Sequence, residues 1–323
     1  MDEFALIAEL LAPLSRDAPG AFGLTDDAAL LDVRHGHRLV VTKDMLVAGV
    51  HFRDADDAAL VARKLLRVNL SDLAAMGAAP KAYLVGLAVP RGTGDDWLRG
   101  FVAGLAEDQA AFGVTLIGGD TVSTVGPLTL SLTALGEVRK GAEMRRSGAR
   151  PGDLVLVSGS LGDGALGLAA LDGGLAGVDQ AGRAYLAERY HLPRPRLALG
   201  LRLHGVASAA IDVSDGLVAD LGHICEASGV GADIEAARLP LSDPARAALA
   251  GDPGLLATVL GGGDDYELVI TAGAAETGRL ADMAAELELP ITAIGRVTDG
   301  GGVVVRGEDG APLALASTGW RHL

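Results

Sequence analysis

The sequence predicts an α/β (α+β) chain in two domains, and three observations carry that expectation. Apolar residues recur with strand and helix periods in turn, through both halves. The 323 residues suffice for two cores of ordinary size. Between the halves runs a polar, Gly- and Pro-bearing stretch, Arg145-Arg146-Ser147-Gly148-Ala149-Arg150-Pro151-Gly152-Asp153. The expected domains are therefore residues 1–145 and 146–323.

Taken in order, Phe4, Ile7, Leu10, Leu11 and Leu14 fall at helical spacing, and a loop with Pro19, Gly20 and Gly23 leads to Asp26-Asp27. Arg38 to Val41 reads as a strand running into Thr42-Lys43-Asp44. A helix is expected from Asp57 to Met76, with Gly77 just past its end. Lys81 to Val89 reads as a strand, and Asp95 to Phe112 as a second helix ended by Gly113. A short strand, Val114 to Ile117, delivers Gly118-Gly119-Asp120-Thr121, and Leu128 to Glu137 is a further strand. In the second half, Leu154 to Ser158 reads as a strand, Gly164 to Leu171 as a helix and Pro195 to Leu203 as helical. Ala209 to Ile211 feeds Asp212-Val213-Ser214-Asp215-Gly216 and a helix from Leu217 to Ala227. Gly261-Gly262-Gly263-Asp264-Asp265 precedes a strand from Tyr266 to Ile270.

Composition narrows the partners. Aromatic residues are only 3% of the chain, so the cores must be built from Ala, Leu and Val. The net charge of −15 repels nucleic acid and anionic lipid. An anionic substrate then requires metal ions or helix N-termini to hold it. Cys225 is the single cysteine, which excludes an intrachain disulfide and points to a reducing compartment. The start, Met1-Asp2-Glu3, lacks a basic n-region, and no stretch reaches the roughly 18 apolar residues of a membrane span. A soluble, cytoplasmic protein is expected.

The chemistry is concentrated in short acidic clusters with small neighbours: Asp27, Asp44, Asp72, Asp120, Asp212 and Asp215, each expected at a turn or an element end. Asn69 and Asp72 are three apart on the helix and project from one face. Hard carboxylate oxygens suit Mg²⁺, which completes its octahedron with water and phosphate. The seven histidines are scattered, without HExxH or CxxC, so His/Cys metal chemistry has no support. The lysines are Lys43, Lys64, Lys81 and Lys140; none follows a glycine, so a Walker A loop is impossible. Gly162-Asp163-Gly164-Ala165-Leu166-Gly167 matches GxGxxG, but its would-be acidic partner, Glu188, sits in a helix-like run and not at a strand end. A tightly packed turn is the better account. His51 reads as a substrate contact or a polar loop residue, Arg146 as a phosphate clamp or linker decoration, and Trp320 as a core anchor or an aromatic platform.

These residues carry a resemblance. Asp26-Asp27-Ala28-Ala29, Asp44 to Phe52, Asn69 to Ala78, Ile117 to Thr121, Arg146 to Ala149, Ile211 to Leu217 and Gly262 to Leu268 occur in the order found in the thiamine-monophosphate kinase family. That family belongs to the superfamily of aminoimidazole ribonucleotide synthetase and selenophosphate synthetase. The resemblance implies a two-domain fold of that superfamily, with N-terminal mixed sheets pairing into a barrel in a homodimer and a C-terminal α/β domain completing the active site. It implies direct, Mg²⁺-assisted phosphoryl transfer from ATP to thiamine monophosphate, giving thiamine diphosphate. By position, Asp27, Thr42, Asp44, Asp72, Asp120, Asp212 and Asp215 would hold several Mg²⁺ ions. Gly119, Asp120, Arg146 and Ser214 would contact ATP, and His51, Asp264 and Trp320 the thiamine phosphate. Thr25, Lys43 and Asp264 depart from the family's usual residues. Aminoimidazole ribonucleotide synthetase is the nearest enzymatic alternative, and a non-catalytic nucleotide-binding relative is the alternative outside catalysis.

Overall fold

A computed structural model describes residues 3–314 and 319. The chain divides into two compact units, residues 1–73 with 78–141 and residues 74–77 with 142–323.

In the N-terminal unit, strands β1 (His37–Val47), β2 (Ala79–Pro90), β3 (Thr115–Thr124) and β4 (Thr129–Arg139) form an open sheet in the order β1-β4-β2-β3. β1 and β2 each run antiparallel to β4, and β3 runs parallel to β2. Alternation puts Tyr83, Val85 and Leu87 of β2 and Leu130, Leu132 and Ala134 of β4 on one buried face. The helices Ala58–Ala75 and Asp95–Phe112 belong to that side: Leu73 packs at Gly136, and Tyr83 donates to Gln109 (3.2 Å). The second helix has Asp95 and Asp96 in its first turn, matching the dipole, and ends on left-handed Gly113 (φ 63°). A Cβ at Gly104 would lie 2.3 Å from the Ala59 carbonyl oxygen, so glycine there sets how closely the two helices approach. On the opposite face a smaller cluster of Ala21, Ala82, Ile117 and Leu135 lies beneath the N-terminal segment.

In the C-terminal unit, β5 (Leu154–Ser158), β6 (Ala209–Asp212), β7 (Gly231–Glu235), β8 (Leu268–Ala272), β9 (Ile291–Thr298) and β10 (Gly302–Arg306) form a six-stranded sheet, ordered β10-β7-β9-β5-β8-β6. Every neighbouring pair is antiparallel except β10–β7. One cluster joins Val155, Val157, Ile211, Leu217, Leu221 and Ile224 into the principal core. The Gly162 turn opens the helix Asp163–Leu171 directly after β5, whose two neighbours are both antiparallel. That arrangement is not the parallel sheet of a dinucleotide fold.

Two acidic positions differ from expectation. Asp44 lies inside β1 and Asp120 inside β3, not at turns, whereas Asp72 is in the last turn of the helix Ala58–Ala75. For β3 the reason is local: Thr121, Val122 and Thr124 are good strand formers and, with Ser123, continue the ladder against Leu87 to Pro90. Pro195 to Leu203 is helical only over Leu197–Gly200.

Candidate functional site

In the N-terminal unit the candidate residues fall into two groups on opposite faces of the sheet. On the helix side, the Thr42 hydroxyl donates to Asp72 (2.5 Å), and the Asp44 amide donates to the Asn69 side-chain carbonyl (3.0 Å). Asn69 is buried, and its amide nitrogen donates to the Leu65 carbonyl (2.9 Å), which fixes its orientation. Helix and strand are thereby tied at the point where both carboxylates sit. His51 follows β1, and its Nδ1 accepts from the Val47 amide (3.1 Å). The carbonyl of His51 accepts from the buried Lys64 (3.4 Å).

On the other face, Asp26, Asp27, Gly118, Gly119, Asp120 and Thr121 line a cavity of about 520 Å³. Its apolar wall includes Leu11, Leu24, Leu39, Leu84 and Leu135. Register explains the split: Asp120 is opposite Gly86, which is opposite Ser131 and then Met45, one step out of phase with Thr42 and Asp44. Lys43 takes the same outward direction and donates to Ser131, so its ammonium points away from the Thr42–Asp72 pair. Gly119 is required by packing, because a Cβ there would lie 2.0 Å from the Val85 carbonyl oxygen.

In the C-terminal unit, Asp212 ends β6, and the turn Val213 to Gly216 opens the helix Leu217–Ser228. The amides of Ser214, Asp215 and Gly216 all donate to one oxygen of Asp220 (3.0, 3.1 and 3.1 Å). Burial, reinforced by the Asp215 carboxylate, pushes the Asp220 carboxyl up to about 7 against these three bonds. The Gly162 turn is filled in the same way. The Gly162 and Gly164 amides donate to the two oxygens of Asp265 (2.7 and 3.0 Å). Burial, with the Asp163 carboxylate adding to it, pushes Asp265 up to about 8 against the two amides and Arg189. At both helix N-termini the chain's own carboxylates thus take amides that would otherwise face an anion, those of Gly162 and Gly164 at one and of Ser214, Asp215 and Gly216 at the other. Asp264 follows Gly263 and is half-buried, its Oδ1 accepting from the Tyr266 hydroxyl (3.2 Å). Arg146 is exposed, and its carbonyl accepts from Ser228 (3.2 Å). Trp320 lies outside the described residues.

Among the described residues, no three His, Cys, Asp or Glu side chains gather as a ready metal cage. The structure pairs Thr42 with Asp72 and places Asp27 with Asp120 on one cavity, while Asp212 and Asp215 belong to the other unit. Sequence reasoning missed the carboxylates that shape these turns, Asp220 and Asp265. Asp220 had a signal: an acid in the first turn of a helix faces its amides.

The chain matches the model of AIR synthase related proteins in two parts, the N-terminal domain over residues 25–138 and the C-terminal domain over residues 150–308. It is 45% identical to the thiamine-monophosphate kinase of Caulobacter vibrioides, over 99% of this chain and 90% of that one. The chain belongs to the thiamine-monophosphate kinase family. The Salmonella typhimurium family member is 40% identical, over 99% of this chain and 98% of that one. Among solved structures, the thiamine-monophosphate kinase of Stenotrophomonas maltophilia aligns with a TM-score of 0.85 at 45% identity, covering 96% of this chain and 98% of that one. AaThiL complexed with AMPPCP and TMP aligns with a TM-score of 0.79 at 30% identity, covering 99% and 97%.

Proposed function

We propose that the protein transfers the terminal phosphoryl group of ATP to thiamine monophosphate, giving ADP and thiamine diphosphate. The observation that carries this is the near end-to-end match to thiamine-monophosphate kinases, with a family structure holding AMPPCP and TMP. The cavity lined by Asp27, Gly119 and Asp120 is proposed to take the nucleotide; its size is ordinary for a small-molecule pocket, and its apolar wall suits a purine. Arg146 and Ser214 are proposed as further nucleotide contacts, and His51, Asp264 and Trp320 as contacts to the thiamine phosphate.

Several Mg²⁺ ions are part of this proposal. The donors at Asp27, Thr42, Asp44, Asp72, Asp120, Asp212 and Asp215 are all hard oxygens, which fits the ion. Carboxylates gathered in pairs also fit it, since Mg²⁺ is usually held by one or two carboxylates with water and substrate phosphates completing its shell. When bound, such ions supply charge neutralisation for two anionic substrates. The chain's own work is positional. Asn69 fixes the helix against β1, Thr42 orients the Asp72 carboxylate, and Asp220 holds the turn of Ser214 and Asp215. Positioning of this kind is most of what phosphoryl transfer asks of a protein.

A homodimer is supported by β1. It is an edge strand, and Val41 and Met45 are exposed on one side of it. Cytoplasmic residence is proposed from the lone cysteine; among the described residues, no helix is long and apolar enough to cross a membrane. Incubating the purified protein with ATP, Mg²⁺ and thiamine monophosphate should yield ADP and thiamine diphosphate in equal amounts. No thiamine diphosphate under those conditions would remove the assignment.

A further inference from the structure

We propose that Asp265 is a positioning residue that sets the neighbouring Asp264 for the thiamine phosphate, by seating its own carboxylate on the Gly162 and Gly164 amides. This rests on the substrate assigned above. The turn around it is costly to hold. Gly263, Asp264 and Tyr266 all have left-handed backbone (φ 71°, 62° and 52°), and two of them are not glycine. Left-handed backbone at a residue other than glycine is strained and persists only where its surroundings over-determine it.

The surroundings here do so. The Asp264 amide donates to the Ser214 carbonyl (2.9 Å) and the Tyr266 amide to the Val213 carbonyl (2.8 Å). The Val213 amide donates back to the Glu267 carbonyl (2.8 Å), so the two acidic loops are laced together. Beyond the turn, the buried Glu267 carboxylate takes bonds from Ser158 (2.7 Å), Arg189 (3.1 Å) and Arg196 (2.6 Å). Asp265 is the remaining anchor. It is buried between half-buried Asp264 and Tyr266, so its anchored carboxylate holds the backbone from which both neighbours project. The fit is close: a Cβ on Gly164 would lie 2.2 Å from the Asp264 carbonyl oxygen. Those glycines, which mimic a dinucleotide fingerprint in sequence, are the seat of an internal carboxylate.

The test is Asp265→Asn, which puts an amide donor where an oxygen now accepts a backbone N–H. Asp233→Asn serves as control; its carboxylate pairs with Arg306 (2.6 Å) between β7 and β10, at the far edge of the sheet from the turn. In Asp265→Asn, KM for thiamine monophosphate should rise at least about tenfold, with KM for ATP within about twofold. Hydrogen exchange at the Asp264 and Tyr266 amides should accelerate in the same variant and not in the control. An unchanged KM for thiamine monophosphate, or a rise in both KM values matching the control, overturns the proposal. Unchanged exchange at Asp264 overturns it without reference to activity. A wild-type protein that makes no thiamine diphosphate fails the functional assignment instead, and the exchange result still decides whether Asp265 holds the turn.

Discussion

Two pairs of buried carboxylates, one in each unit, are held in different ways, while Glu267 of the C-terminal unit, met by Arg189 and Arg196, follows the N-terminal pattern. In the N-terminal unit, Asp108 is fully buried and taken up by Arg67 (2.5 and 2.9 Å) and Arg63 (3.0 Å), which lock helix Ala58–Ala75 to helix Asp95–Phe112. Glu137 of β4 is met by Arg34 (2.5 Å) and by Lys81. Burial alone would raise the Glu137 carboxyl, but the two cations outweigh it and hold it at about 2. In the C-terminal unit, Asp265 and Asp220 are met by backbone amides, and burial wins. Full opposite charges overcome desolvation, whereas amide dipoles only moderate it. Cation-paired carboxylates therefore join elements, and amide-paired ones shape the turns beside the candidate site.

Replacing Asp108 tests the first half of that contrast. Asp108→Ala removes the buried carboxylate shared by Arg63 and Arg67 at a helix interface and should cost about 3–5 kcal/mol in urea unfolding, with substrate KM values unchanged in whatever folded protein remains. A loss under about 1 kcal/mol would mean the pair is dispensable. Asp72 and Asp44 should behave in the opposite way. Asp72→Asn or Asp44→Asn should lower turnover at least about 10²-fold, with the thermal midpoint nearly unchanged. Near-normal turnover in both would remove them from the proposed metal set.

The smallest effect is the pH dependence, and its sign separates the cation-paired Glu137 from the amide-paired Asp265. The folded carboxyl of Glu137 lies below its ordinary value of 4.5, so its stabilisation is present above that pH and lost as pH falls from there towards 2. Asp265 is shifted the other way, so the native chain holds a proton that the unfolded chain has released. Stability should therefore fall as pH rises from about 4 to about 8. Urea midpoints measured across pH 3 to 9 should show a shallower acid limb in Glu137→Gln and a shallower neutral-to-alkaline decline in Asp265→Asn, the rest of that decline belonging to Asp220. Parallel curves for wild type and both variants would contradict the contrast.

Much of this was readable from residues alone where the signal is local. The helix Asp95–Phe112 has the expected bounds because acids open it and glycine closes it, and β5 likewise spans the expected Leu154–Ser158. Short strands such as β7, Gly-Ala-Asp-Ile-Glu, carry too little pattern to stand out. The acidic clusters were visible in sequence, but not which face of the sheet each occupies. That depends on strand register: a shift of one residue would move Asp120 to the side of Asp44.

By itself the sequence determined the alternating elements, the order of the acidic motifs and the family, since each is written in neighbouring residues. Only the tertiary structure decided which carboxylate meets a cation and which an amide. Gly162 and Asp265 are 103 positions apart, and Arg34 and Glu137 as far. No local preference reaches over such a distance; packing of whole elements brings those partners into contact, and the low dielectric of the interior then makes each pairing consequential.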